Sequence, residues 1–450
     1  MAMADRKHTV WSGGGLVVAN MVGVGVFLST GFMAQDMAAG PILIAWVVGS
    51  AIALCGVLAY GGILTVINES GGEYRLLSDL MHPFVGYLSG WGSLILGFSA
   101  AIAIDAHAIG SFLNTLVDGP DPRLTGAAVI VALTFLHIRS THLSHRGQNL
   151  LVAVKLAVLG GLVALGLAVG SNRWPEWSPP GATAGFPWLA LIENQFWIAF
   201  AFSGWNAAVY TAREFRRPDR DVARAMLLGL AVVAPLYLLI NWVFVANLTP
   251  DQAAGVFLYE EKRITLGHLV ASGLFGQFGG QTISIFVIWA FLSAISAMMM
   301  VGPRVYTAMA ADRLLPAVFA SKQRGQPVAA TVLQAATALL ILFSQSLRET
   351  VQAASGFLMI FSALTALAIF QLRRRRPAAA PVGWLPRVAA VAYAAAVACI
   401  LVVGLSASPT LVWSLGAVLL LSLIGYFGSK KARKQAPAAA TVSRETEPGS

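Results

Sequence analysis

Asn20-Met21-Val22-Gly23-Val24-Gly25-Val26-Phe27 and Phe200-Ala201-Phe202-Ser203-Gly204-Trp205-Asn206 each interrupt an apolar run of membrane-spanning length. Glycine lowers helix propensity by about 1 kcal/mol relative to alanine, and inside a bilayer an unwound backbone survives only where it lines a cavity or is buried in protein. A matched pair of interrupted spans in the two halves of a chain points to a transporter site at an inverted repeat. Glycines alone are equally consistent with close helix packing, so the sequence around them has to decide.

The rest of the chain reads as membrane protein. Of 450 residues, 57% are hydrophobic and 11% charged, and the mean hydropathy is +0.72. A water-soluble domain of this size would lack the polar side chains to cover its surface. Cys55 and Cys399 stand far apart in apolar runs, which excludes a disulfide framework and zinc spacing and makes both packing residues. The net charge of +10 falls in short blocks between apolar runs, where it sets topology rather than recruiting a polyanion such as nucleic acid. The first apolar run begins near Trp11 and is glycine-rich, so it reads as a retained span and not as a cleaved signal.

A bilayer core of about 30 Å takes about twenty residues of helix. About twelve runs satisfy this, over 11–33, 41–66, 84–117, 124–142, 148–170, 188–212, 222–247, 278–303, 328–346, 351–371, 384–406 and 409–428. With the N-terminus inside, 24 of the 30 lysines and arginines fall on the cytoplasmic side and five on the outside. That bias supports an even number of spans and cytoplasmic termini in a cell inner membrane. Residues 1–10 are then a cytoplasmic N-terminus, and 429–450, with Lys430, Lys431, Arg433 and Lys434, a basic, disordered cytoplasmic tail.

The two interrupted spans carry motifs that resemble the amino acid-polyamine-organocation (APC) family of transporters. Gly23-Val24-Gly25-Val26-Phe27 is similar to that family's glycine-small-glycine signature, and Phe200 to Asn206 to its Phe-Ser-Gly-Trp-Asn signature. Ser70-Gly71-Gly72-Glu73-Tyr74, then Glu214 with Pro218 and Arg224, then Arg304 through Asp312 to Leu315-Pro316 follow in the family's order. The resemblance implies an all-α polytopic membrane protein with the LeuT-like five-plus-five inverted repeat. Spans one to five (11–170) would form the first repeat and spans six to ten (188–371) the second, with two accessory helices (384–428).

It also implies an amino acid, carried by alternating access and held between spans one and six without any cofactor. The substrate-binding residues it assigns are Met21, Gly23, Val24, Gly25, Phe200, Ala201, Phe202, Ser203 and Gly204. The chemistry is reasonable, because a broken helix frees amides on one half and carbonyls on the other. A substrate carboxylate would lie on the amides of Gly23, Val24 and Gly25, and its ammonium on the carbonyls of Met21, Phe200 and Ser203. Phe200 or Phe202 would cover it as a gate. Many relatives have serine where this chain has Val24, so backbone amides alone would hold the carboxylate. An uncharged wall of Val24, Ala201 and Ser203 would favour a small or neutral amino acid.

Lys155 lies about 12 Å inside span five at 1.5 Å per residue, and intramembrane lysines default to function. The resemblance places it where sodium-coupled relatives hold a cation. It is therefore expected either to couple transport to protons or to serve as a fixed structural ammonium. Asp105 and His107 fall in the outer part of span three, with Asp105 the better candidate for the transport path; spaced i and i+2, they do not share a helix face and make a poor metal site. Arg173-Trp174-Pro175-Glu176-Trp177 reads as an interfacial aromatic belt, and Glu214 as a salt-bridge partner of the arginines around it. Competing readings were a polyamine or amine carrier of the same architecture, a channel and a membrane enzyme. The scattered histidines, including His107, His137, His142, His145 and His268, and the lack of a phosphate loop speak against an enzyme.

Overall fold

The computed structural model describes residues 8–139, 145–171, 173–180, 185–319 and 327–435. These residues form helices, plus one isolated parallel bridge between His8 and Phe215. Residues 1–7 of the expected N-terminal segment and 436–450 of the expected tail lie outside the described residues, as does His142.

Local sequence explains most helix boundaries. α1 (Val10–Met21) starts at a capping box in which Thr9 accepts from the Ser12 amide, satisfying donors the first turn leaves open. After a break, α2 runs Gly25–Met33, bent 43° from α1. α3 (Ala39–Leu64) is followed by Gly71 and Gly72 at φ 124° and 61°, a turn into amphipathic α4 (Gly72–Leu80). α5 (Pro83–Gly92) continues through a π-helical stretch, Ser93–Ser99, into α6 (Ala100–Leu113). α7 (Pro122–Arg139) and α8 (His145–Val169) complete the first half.

The second half opens with α9 (Trp188–Glu193) and α10 (Gln195–Phe202), then one turn, α11 (Ala207–Tyr210). α12 (Pro218–Ala246) begins with proline at its first turn and Asp219 and Asp221 near its positive end. Two short helices, α13 (Pro250–Leu258) and α14 (Glu260–Ile264), lead to α15 (Leu266–Ala311), which is interrupted at Gly276 with φ 69°. α16 (Val328–Ser344), α17 (Leu347–Leu367), α18 (Leu372–Arg375), α19 (Trp384–Ala407) and α20 (Pro409–Gln435) follow.

Over the described residues every expected span falls on helix; residues 140–142 of the fourth lie outside them. Seven helices are long and apolar enough to cross a membrane, or eight with the bent α1–α2 pair as one, and three further apolar helices are shorter. Large apolar side chains stand exposed along them, among them Val47 (54%), Leu340 (69%) and Val402 (69%). Such faces are stable against hydrocarbon and not against water, so the chain is a multi-pass membrane protein.

α1 packs along α12, α12 along α3, and α6 against α7 and α15. The apolar stretch of Pro83–Leu113 is 72% buried, against 33% in α19 and 17% in α20, which lie outside the bundle on α3, α5 and α17.

Several details differ from the sequence reading. α20 extends to Gln435, so Lys430 to Lys434 fall on helix and not in a disordered tail. Lysine, arginine, alanine and glutamine are good helix formers, and cations favour a helix C-terminus. Trp177 is not part of an exposed belt: it is buried, and its Nε1 donates to the Val245 carbonyl at 2.9 Å, while Trp174 is exposed. Two ion pairs that the sequence reading did not name stand at this end: His8 with Glu214 at 3.4 Å, and Arg213 with Glu69 at 3.4 Å. Cys399 is exposed and Cys55 half-buried; both are free.

Candidate functional site

The two breaks face each other. Met21 ends α1, Val22 leaves the helical region at ψ 90°, and Gly25 opens α2. On the other side α10 stops at Phe202, Ser203 turns to ψ 141°, and Gly204 takes φ 94°. Contact between the breaks is backbone to backbone. A Cβ added to Gly25 would stand 2.4 Å from Ala201 Cα, and one on Gly204 would stand 2.9 Å from Asn20 C and O. Only glycine permits this approach at either point. A Cβ on Gly23 would meet nothing within 4 Å, so its backbone borders open space.

That space is a cavity lined by Asn20, Met21, Gly23, Val24, Gly25, Ala101, Asp105, Phe200, Ser203 and, from α15, Ala294, Ala297 and Met298. Six of the nine residues expected at the substrate therefore border it: Met21, Gly23, Val24, Gly25, Phe200 and Ser203. Ala201 is turned into the Gly25 contact instead. Phe202 packs on Trp46 and Tyr237, with ring centroids 6.1 and 5.4 Å away. Phe202 and Gly204 line a second cavity on the far side of the break, with Gly49, Ser355, Ser362 and Tyr393. Only Ser203 borders both cavities among these residues of the break.

The wall carries a carboxyl side chain where the sequence reading had an uncharged lining. Asp105, on α6 and 3% exposed, points its carboxylate at the Val24 backbone amide. Lys155, also 3% exposed, lies on α8 and donates to the Val22 carbonyl at 3.4 Å. A lysine and an aspartate thus hold successive parts of one unwound segment, the cation on a carbonyl and the anion facing an amide, as the exposed backbone dipoles require. His107 does not line the cavity; it lies toward Asp121 and Arg123.

Further polar groups, which the sequence reading did not single out, fasten the breaks. The buried Tyr237 hydroxyl on α12 lies 2.6 Å from the Met21 carbonyl oxygen and 3.2 Å from that of Ala201, touching both breaks at once. One turn on, Asn241 donates to the Tyr237 carbonyl at 2.7 Å and bonds Thr30 of α2, whose hydroxyl also accepts from Trp46 Nε1 at 3.0 Å. Ser29 donates to the carbonyls of Gly25, at 2.6 Å, and Trp197, at 3.0 Å. A tyrosine or asparagine inside an apolar run gives no sequence signal of which helix it will meet.

Beyond α11, Glu73 is buried and its Oε1 accepts from Tyr60 (2.6 Å), Ser362 (2.8 Å) and Asn206 (3.0 Å). Burial raises its carboxyl above the ordinary range, and the three hydrogen bonds work against that rise. Nearby, Glu69 meets Arg75 at 3.3 Å, and Tyr74 donates to Asp312 at 2.5 Å. No cluster of three or more metal-ligating side chains occurs among the described residues.

Comparison with known proteins gives the family. The amino acid permease family model matches residues 9–428. The chain belongs to the amino acid permease family, within the APC group. This permease is 27% identical over 372 residues to the serine/threonine exchanger SteT of Bacillus subtilis (strain 168), covering 80% of this chain and 82% of that one. It is 26% identical over 374 residues to the b(0,+)-type amino acid transporter 1 of Oryctolagus cuniculus, covering 80% and 74%. Against the large neutral amino acids transporter small subunit 2 of Homo sapiens it is 24% identical over 378 residues, covering 81% and 69%. These relatives bear the names of amino acid transporters or exchangers and not of enzymes.

Proposed function

We propose that the permease is a secondary active transporter that carries an amino acid by alternating access, with its substrate in the cavity between the α1–α2 break and the α10–α11 break. The observation that carries this reading is the cavity itself: two unwound backbones, in contact at Gly25 and Gly204, border it with Gly23, Val24 and Gly25 on one side and Ser203 on the other. An unwound membrane helix that borders a cavity is the arrangement a substrate site needs. The architecture in this reading is a five-plus-five repeat of twelve spans with both termini cytoplasmic, in a cell inner membrane. The expectation of a neutral substrate rested on an uncharged wall, and Asp105 removes that ground.

Coupling is by protons or by exchange, and Lys155 is the residue that bears on it. Its ammonium on the Val22 carbonyl fixes the bend where a bound cation would otherwise be needed. Uptake of a panel of radiolabelled amino acids into proteoliposomes tests the reading, with and without an inward proton gradient and with and without internal unlabelled substrate. Accumulation driven by the gradient alone means symport, and stimulation by internal substrate alone means exchange. A folded protein that takes up no amino acid under any condition would rule the reading out.

A further inference from the structure

α19 begins with an arginine on its lipid-facing side. Trp384, Arg387, Val388 and Val391 recur at helical spacing and are all exposed, so they form one stripe along the helix. Val388 and Val391 are side chains that hydrocarbon must cover. An arginine on the first turn of that stripe keeps its charge in a polar layer only by extending to the headgroups. The chain segment before it ends in the same pattern. Phe370 is exposed in the turn Ala368–Gln371, and Arg373 and Arg374, one helical turn on, are exposed in α18. α19 packs along α17 and touches that turn, and residues 376–383 alone join α18 to α19, so both groups of arginines lie at one face of the membrane.

Their charge is unmet. Among the described residues the guanidinium groups of Arg373, Arg374 and Arg387 have no hydrogen-bond or ion-pair partner, whereas Arg375 donates to the Met81 carbonyl at 2.8 Å and Arg376 lies within electrostatic reach of Asp79 on α4. No acidic residue occurs between Glu349 and Glu445. Setting topology asks only for positive charge somewhere in the loop; it leaves unexplained why these three stand beside exposed aromatic and branched side chains.

We propose that the α18–α19 turn binds an anionic phospholipid, its phosphate held by Arg373, Arg374 and Arg387 and its acyl chains lying on Phe370, Val388 and Val391. Guanidinium groups suit this partner because their planar fork takes phosphate oxygens in pairs, and tryptophan, here Trp384, belongs at headgroup level. The bound lipid ties the end of α17 to the start of α19, a helix only 33% buried in the bundle, and so stabilises their packing.

The test is thermal unfolding of the purified full chain in neutral detergent with added dioleoyl phosphatidylglycerol, dioleoyl phosphatidylcholine or glycerol phosphate, together with native mass spectrometry of the bound lipid. Wild type is expected to retain phosphatidylglycerol over phosphatidylcholine by at least about tenfold and to unfold at a higher temperature with it. The triple variant Arg373→Gln, Arg374→Gln, Arg387→Gln loses both preferences, and the corresponding lysine triple, with point charges but no fork, keeps part of them. A control triple, Arg213→Gln, Arg217→Gln, Arg220→Gln, removes the same charge from arginines that already face carboxylates and keeps both preferences. Each variant is compared after it elutes as a single folded species, with the single variants Arg373→Gln and Arg387→Gln as substitutes if the triple does not. Equal retention of the two lipids by wild type overturns the proposal, as does a site triple that still prefers phosphatidylglycerol. So does an equal loss in the control triple, which makes net charge the cause, or glycerol phosphate raising the midpoint as far as the lipid, which makes the site one for free phosphate.

Discussion

The Cα of Ala201 lies where a side chain on Gly25 would have to go. A Cβ there stands 2.4 Å away, closer than side-chain carbons approach backbone, so the two broken helices are held at a separation set by a missing methyl group. Gly25→Ala is therefore expected to push α2 from α10, with a cost of about 1–3 kcal/mol for overpacking and loss of most transport. Gly23→Ala meets no neighbour and is expected to keep the thermal midpoint while reducing uptake by narrowing the cavity. Thermal unfolding and uptake of both variants, side by side, check this; equal midpoints would contradict it.

Tyr237 links both breaks through one hydroxyl. Tyr237→Phe keeps the packing against Trp46 and Phe202 but leaves buried carbonyls without that donor, at a cost of about 1–3 kcal/mol. The apparent melting temperature should fall, and uptake should fall further than the loss of folded protein accounts for. A variant indistinguishable from wild type in both would show that the hydroxyl holds nothing.

Glu73 should make stability depend on pH. Because burial raises its carboxyl in the folded protein, the native chain holds the proton more tightly than the unfolded one. Its contribution is greatest below the unfolded value of about 4.3 and is lost as pH rises from there through the folded value. Glu73→Gln keeps an oxygen for Tyr60, Ser362 and Asn206 and has no charge to bury. It is expected to match or exceed the wild-type midpoint at pH 7 and to flatten the pH dependence above about 4.3, whereas Glu73→Ala leaves three donors without an acceptor and is expected to lower the midpoint at every pH.

Lys155→Ala removes the ammonium from the Val22 carbonyl. If Lys155 couples transport to protons, the variant loses the gradient-driven part of uptake and retains any exchange. Full pH-dependent uptake by the variant would leave Lys155 with a structural role alone.

How far the sequence reached depended on whether a feature is local. Gly23, Gly25 and Gly204 announce their breaks because glycine weakens a helix wherever it sits, and the apolar runs announce their helices because length and hydropathy need no partner. What Asp105 faces depends on the rotation of α6 against α2, which no spacing encodes, so an aspartate given a minor place in the pathway proves to be the carboxyl in the cavity wall. Ala201 and Phe202 were assigned with Phe200 from the motif they share, and a motif does not say which way each side chain turns: here Ala201 meets Gly25 and Phe202 packs on Trp46. Tyr237 and Asn241 stayed hidden for the same reason, as polar residues in an apolar run whose partners are about 200 positions away along the chain.

Ser203 separates two hollows with a partition one residue thick. It borders the cavity of Gly23 and Val24 on one side and that of Ser355 and Ser362 on the other. A solute pressing on its front face meets a strip of backbone with room behind it, and because the next residue, Gly204, lies against Asn20, a push there is passed to the other broken helix.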